Sequence, residues 1–307
     1  MPGRAPTSTA WPKTGEDRVL HAHWQQCDGA SLYYEVGIGG PRSPWRGSTE
    51  RRLDGVLVHG AGACELRRGG AFRRDVEAAQ PPLAVDVIEV KAGLSEGVVG
   101  QAIAGRWMFE RQYPHLTVER NVVLYRHEDP AMRAAAEALG ITLIRRDIPV
   151  TNKRLESRPR YRVKDTDISR VLADRELAPG LVMTRVPIGG EHSGVEAWAD
   201  AVQTYVKYVR FIGSPSAGIA VFEGRAHFLE LAARYAIEVI VTLPALNRGA
   251  IGIAKTHGLM LRTQYGVPEP TLAIVVEHAD PALREVCDDL GIAVRVVHVP
   301  SAGVLAR

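Results

Sequence analysis

Asp54 and the tripeptide Glu89-Val90-Lys91 are the residues of this chain best suited to chemistry on a phosphate ester. Mg²⁺ prefers hard oxygen ligands and commonly takes one or two carboxylates together with water and a substrate phosphate. A bound ion lowers the pKa of its water and offsets the charge that builds on the phosphate. A lysine close by can position the attacking water or stabilise the developing negative charge. Two carboxylates and one ammonium brought to one point would therefore suit the hydrolysis of phosphodiesters.

Two strands must do the positioning. The segment "RRLDGVLVHG", from Arg51, alternates as a strand does, with Asp54 near its start. Some way downstream, "LAVDVIEVKAGL", from Leu83, reads as a second strand. Residues two apart on a strand leave the same face, so Glu89 and Lys91 point one way and Ile88 and Val90 the other. Charges in so apolar a strand are costly unless they are used. The plain alternative is an edge strand on which Glu89 and Lys91 form a surface ion pair. After these strands, "GQAIAGRWMFERQYP" suits a helix that ends before Pro114 and carries Gln101.

Asp54, then Glu89-Val90-Lys91, then Gln101 on the following helix resemble the PD-(D/E)xK nuclease superfamily. The resemblance covers roughly Leu32 to Pro149. It implies that Asp54 and Glu89 bind Mg²⁺ or Mn²⁺, that Lys91 acts on the nucleophilic water, and that Gln101 steadies it. The superfamily often has a further acidic residue upstream of the Asp. Glu35, in "LYYEVGIGG", is the best match and would help through a water or a second metal. It departs from the usual pattern by sitting in a strand-like segment. Leu53 likewise stands where a proline usually precedes the Asp.

The chain also repeats itself. "HEDPAMRAAAEALGITLIRRDIP", from His127, is answered by "HADPALREVCDDLGIAVRVVHVP", from His278. "VGIGG" at Val36 is answered by "VPIGG" at Val186, and "VDVIEVKAGLSEGVVGQ" from Val85 by "IEVIVTLPALNRGAIGI" from Ile237. Asp129-Pro130 and Asp280-Pro281 suit helix starts, and Gly140 and Gly291 suit helix ends. "ERRLDGV" and "EAWADAV" would pair Asp54 with Asp200. The second copy keeps the apolar framework and loses the polar groups. Val241 answers Glu89, Leu243 answers Lys91, Ile253 answers Gln101 and Arg185 answers Glu35. The second copy is thus expected not to cleave. Its "TYVKYVRF" segment reads as a wet helix face, with nucleic-acid contact through Lys207 and Arg210 as the rival reading.

These observations predict an α/β protein of two restriction-endonuclease-like units, arranged as a pseudo-dimer. Each unit is a mixed central sheet flanked by helices. Residues 1–150 form the catalytic unit and 168–307 the degenerate one. The polar, basic stretch Thr151 to Asp167 is either a solvated linker or a strap that touches phosphates. The 307-residue length suits two domains, and the formal charge of +3 leaves any nucleic-acid surface to local clustering. Three scattered cysteines indicate neither a zinc site nor a disulfide framework, which fits a reducing, cytoplasmic setting. No apolar run suits a membrane helix. The segment Met1 to Lys13 reads as a loose tail. "HGAGA" at His59 reads as a Gly-rich turn between strands, because no GxSxG elbow accompanies it. Trp107 and Trp198 are expected in the core or an interface. The expected partner is nucleic acid, DNA above all, with a homo-oligomer or partner subunit as a further possibility. A nucleic-acid-binding or scaffold protein on the same fold, without catalysis, is the alternative reading.

Overall fold

The computed structural model describes residues 12, 14–40, 43–45, 47–60, 64–78, 83–146, 170–171, 180–190 and 204–298. The chain divides into two compact units, Met1–Arg158 and Pro159–Arg307. The stretch Thr151 to Asp167 and Trp198 lie outside the described residues.

The first unit runs α1 (Gly15–Trp24), β1 (Ala30–Ile38), β2 (Arg51–His59), β3 (Leu66–Arg68), α2 (Phe72–Ala78) and β4 (Leu83–Gly93). It continues through α3 (Glu96–Gln112), β5 (Leu116–His127), α4 (Pro130–Ala138) and β6 (Thr142–Arg145). Its six strands form one mixed sheet in the order β3-β1-β2-β4-β5-β6. β1, β2 and β4 pair antiparallel, whereas β4, β5 and β6 run parallel. Local chemistry fixes the helix starts. Thr14 and Asp17 form a reciprocal capping box on α1. Asp129 accepts from the amides of Ala131 and Met132 at the head of α4. Gly60 takes φ +73 directly after β2, a conformation open to glycine, and residues 61–63 of the "HGAGA" segment lie outside the described residues.

One face of this sheet packs under α1 through Val19, Leu20, Leu57, Ile88, Val90 and Leu124. On the other face the rings of Tyr33, Phe72, Phe109 and Tyr113 pack edge-on or tilted, with centroids 5.0–5.6 Å apart. Trp107 is half-buried and lies against Trp45.

The α1 face also carries a buried polar group. The Arg146 guanidinium meets Nδ1 of buried His23 at 2.8 Å, a contact that needs a neutral imidazole. Burial first, and then the positive charges of Arg146 and Arg120, hold His23 down to about 4 against an ordinary 6.5. The unfolded chain thus takes up a proton that the native chain refuses. Stability is complete above pH 6.5 and falls as the pH drops towards 4, by roughly 3 kcal/mol at the acid limit. His23→Gln keeps an oxygen acceptor for Arg146 and removes the titration. Urea midpoints measured from pH 4 to 7 are expected to slope less in this variant. An unchanged slope would show that His23 does not set it.

The second unit repeats the plan with β7 (Gly180–Ile188), β8 (Thr204–Ile212), β9 (Gly218–Val221), α5 (Arg225–Arg234) and β10 (Ala236–Thr242). It ends with α6 (Arg248–Tyr265), β11 (Thr271–Val276), α7 (Pro281–Asp289) and β12 (Ile292–Val296). Its sheet, β12-β11-β10-β8-β7-β9, has the same topology as the first. Side-chain details repeat as well. Gln112 Oε1 accepts from the Gly39 amide at 2.9 Å, and Gln264 Oε1 accepts from the Gly189 amide at 3.0 Å.

Two expectations about this unit need correction. The "TYVKYVRF" segment is the interior strand β8, and Lys207 and Arg210 are buried in it. Strands covered on both faces lose their visible alternation, and a three-residue charge spacing then imitates a helix face. The pairing of Asp54 with Asp200 also fails. Asp200 lies outside the described residues, and the ladders match β2 with β8 instead. The last β2–β4 pair is Gly55 with Ile88, which sets Asp54 opposite Glu89 one step on. The last β8–β10 pair is Tyr208 with Ile240, which sets Lys207 opposite Val241. Lys207 is therefore the counterpart of Asp54.

Candidate active site

Beyond Gly55 and Ile88 the ladder between β2 and β4 stops. Asp54 takes over the role of the missing backbone acceptor: its Oδ2 accepts from the Val90 amide at 2.8 Å. That bond fixes the Asp54 carboxylate against β4 while leaving it half-buried. Glu89, directly opposite in register, is only 1% exposed. Lys91, two residues further along β4, donates to the same Asp54 oxygen at 2.7 Å and to the Val90 carbonyl at 2.7 Å. Its Nζ lies 3.9 Å from Glu89 Oε2. The Lys91 ammonium thus bridges the Asp54 and Glu89 carboxylates.

A fourth residue joins them. Glu16, in the first turn of α1, places Oε2 at 3.8 Å from Lys91 Nζ. Sequence reasoning passed over it. The signal available was the Thr14/Asp17 capping pattern, which marks a helix starting next to the segment read as a tail.

The electrostatics follow from this crowding. Burial alone would lower the Lys91 pKa, but Asp54, Glu89 and Glu16 outweigh it and raise it above its ordinary value. Lys91 is accordingly a fixed ammonium and a hydrogen-bond donor. Glu16 is raised, chiefly by burial, with Lys91 opposing the shift.

Three carboxylates and the Val90 carbonyl surround the Lys91 ammonium, but the oxygens of Asp54, Glu89 and Glu16 do not all lie within 4.8 Å of one another. All are hard oxygens, which fits Mg²⁺ or Mn²⁺ and not a soft ion. Among the described residues, the one group of three acidic or histidine side chains with ligand atoms all within 4.8 Å of one another is His59, Asp86 and Glu119. Its centre is already neutralised. Arg120 Nε reaches both oxygens of the fully buried Asp86 at 3.1 Å, and His59 Nε2 lies 3.0 Å from Oδ2. The second unit keeps an acid here too: Glu238 is held by Arg210 at 2.7 Å and Arg295 at 2.8 Å. A buried acid with arginine partners in both units reads as part of the framework.

The structure does not bring the other two sequence candidates into the cluster. Gln101 is half-buried on α3 and makes no hydrogen bond to Asp54, Glu89 or Lys91. Glu35 faces Asp54 in register, but it adopts φ +55 between the paired residues Tyr34 and Val36. Its carboxylate meets Arg52 at 3.4 Å and Arg68 at 3.3 Å. It lines a separate cavity.

In the second unit the equivalent positions hold Arg185, also at positive φ, with Lys207, Val241 and Leu243. Negative groups have given way to cations and hydrocarbons on an unchanged sheet. No protein-family model matches the chain, and no curated protein matches it well enough to count as a relative.

Proposed function

We propose that this protein is a metal-dependent nuclease of the PD-(D/E)xK kind, which hydrolyses phosphodiester bonds of DNA at the first unit. The supporting observation is the meeting of Asp54, Glu89 and Glu16 around the Lys91 ammonium, at the point where β2 and β4 separate. Asp54 and Glu89 would hold Mg²⁺ or Mn²⁺, with Glu16 and the Val90 carbonyl beside them. When bound, the ion offsets phosphate charge and acidifies water. Lys91 is a protonated donor already fixed in place, so it orients the attacking oxygen and stabilises the negative charge that develops on the phosphate. The Val90 amide holds Asp54 in one rotamer, which keeps this geometry from collapsing. In this reading the second unit is non-catalytic, since Lys207 and Val241 repel or ignore a cation.

Plasmid or oligonucleotide cleavage with Mg²⁺ or Mn²⁺ tests this. Wild-type protein is expected to cut, and Glu89→Ala is expected not to. Equal cutting by both proteins would rule out the site. The described helices include none long and apolar enough to cross a membrane.

A further inference from the structure

The cavity that Glu35 lines is not used by this mechanism. It measures about 600 Å³ and is bordered by Arg52, Arg68, Arg73, Glu35, Glu50 and Tyr113. We propose that it is a phosphate-binding subsite beside the catalytic centre, in which the Glu35 carboxylate stands in for the phosphate until a nucleic-acid strand enters. This rests on the nuclease reading above and names how the strand is held.

Position carries the first part of the argument. Arg52 precedes Asp54 by two residues on β2, so both side chains leave the same face of the sheet. Their separation along the strand is about 6.6 Å, a span comparable with one nucleotide of extended backbone. The cavity therefore adjoins the place where the scissile phosphate would lie.

Chemistry carries the second part. Arg73 is paired with Glu77 at 2.8 Å, so the guanidiniums the cavity offers a ligand are those of Arg52 and Arg68. Planar guanidinium forks suit phosphate oxygens. Tyr113 adds a donor from the floor. It is 5% exposed and its hydroxyl accepts from Gln112 Nε2 at 3.0 Å, while its proton meets no acceptor among the described residues. Burial raises the Tyr113 pKa, so that proton stays in place.

The state of Glu35 carries the third part. Glu35 adopts φ +55, as Arg185 does at φ +60 in the second unit, so the backbone turn belongs to the shared sheet and what is particular to the first unit is the carboxylate it carries. The Glu35 carboxylate accepts from Arg52 at 3.4 Å and from Arg68 at 3.3 Å. Gly69 makes room, because a Cβ there would collide with the Glu35 carbonyl. Both ion pairs are long and solvent-exposed, hence weak and open to exchange. An incoming phosphodiester offers two non-bridging oxygens in place of the two carboxylate oxygens, and a terminal phosphate offers three.

The test is binding rather than cleavage, measured in EDTA by fluorescence anisotropy. The probes are a labelled 20-nucleotide DNA strand with a 5′-phosphate, the same strand with a 5′-hydroxyl, and the hydroxyl strand annealed to its complement. The double variant Arg52→Ala/Arg68→Ala is expected to bind about tenfold or more weakly, as lost charge-assisted hydrogen bonds require. Its salt slope should fall by about one phosphate. Glu35→Gln should bind more tightly than wild type, because the stand-in loses its charge. An effect confined to the 5′-phosphate strand assigns the subsite to a strand end, and an effect on every probe assigns it to internal phosphates. A double variant that binds within about twofold of wild type at an unchanged salt slope would overturn the proposal. So would a Glu35→Gln protein that binds more weakly while circular dichroism shows it folded. If no variant of Glu89 or Lys91 affects cleavage but the arginines still govern binding, the nuclease reading fails and the subsite stands. If cleavage depends on Glu89 and Lys91 while the arginines do nothing, the reverse holds.

Discussion

Lys91→Ala is expected to cut DNA about 10²–10³-fold more slowly than wild type, the usual cost of removing one fixed donor from developing negative charge. The same variant makes a second, independent prediction. Lys91 is the cation that separates Asp54, Glu89 and Glu16, with oxygens at 2.7, 3.9 and 3.8 Å. Without it the three carboxylates lose the ammonium they share. The variant should therefore be less stable than wild type in EDTA. Mg²⁺ should raise its melting temperature more than it raises that of wild type, since an ion bound only by the native state stabilises it by mass action. If the cluster were only a surface ion pair, neither protein would respond to Mg²⁺. Thermal melts of both proteins with EDTA and with Mg²⁺ decide the point even if the DNA substrate is wrongly chosen.

The parts of this site that were legible in the sequence are those governed by strand periodicity. Asp54, Glu89 and Lys91 stood out because charges recur in runs that are otherwise apolar and alternating, and the structure brings these three side chains together. The two repeats were legible for the same reason, because the apolar framework of β4 survives in β10. What escaped was set by backbone conformation and loop length. Glu35 entered only through the family resemblance, and its positive φ lies in a strand with no glycine at that position to warn of it. Glu16 escaped because one acid in a helical turn carries no pattern of its own. The match to Asp200 failed because the stretch between β7 and β8 is longer than the one between β1 and β2, which shifts the offset. Only the register shows that Lys207 is the counterpart.

That register also separates the acids the fold needs from those it does not. Asp54 and Glu89 vanish in the second unit, yet the buried acid on the other face persists as Asp86 and Glu238, each with arginine. Glu238→Ala is therefore expected to be the most damaging single substitution of a charged residue in the second unit, costing about 3–5 kcal/mol. The cause is specific. Glu238 is 4% exposed and Arg210 3%, and Arg295 closes the group from β12. Removing the carboxylate leaves two guanidiniums in a space with little water to solvate them. Glu269→Ala, which breaks the exposed pair with Arg262, is the matched control and should change stability by less than about 1 kcal/mol. Urea unfolding followed by circular dichroism measures both. A third protein makes the argument two-sided: Glu238→Leu combined with Arg210→Met and Arg295→Met removes the charges together and should recover much of the loss, because apolar packing often replaces a buried ionic group at little cost. If Glu238→Ala is as mild as Glu269→Ala, the ionic group does not hold the sheet together. The persistence of an acid at that position would then no longer mark Asp86 as framework, and His59, Asp86 and Glu119 would return as a rival metal site.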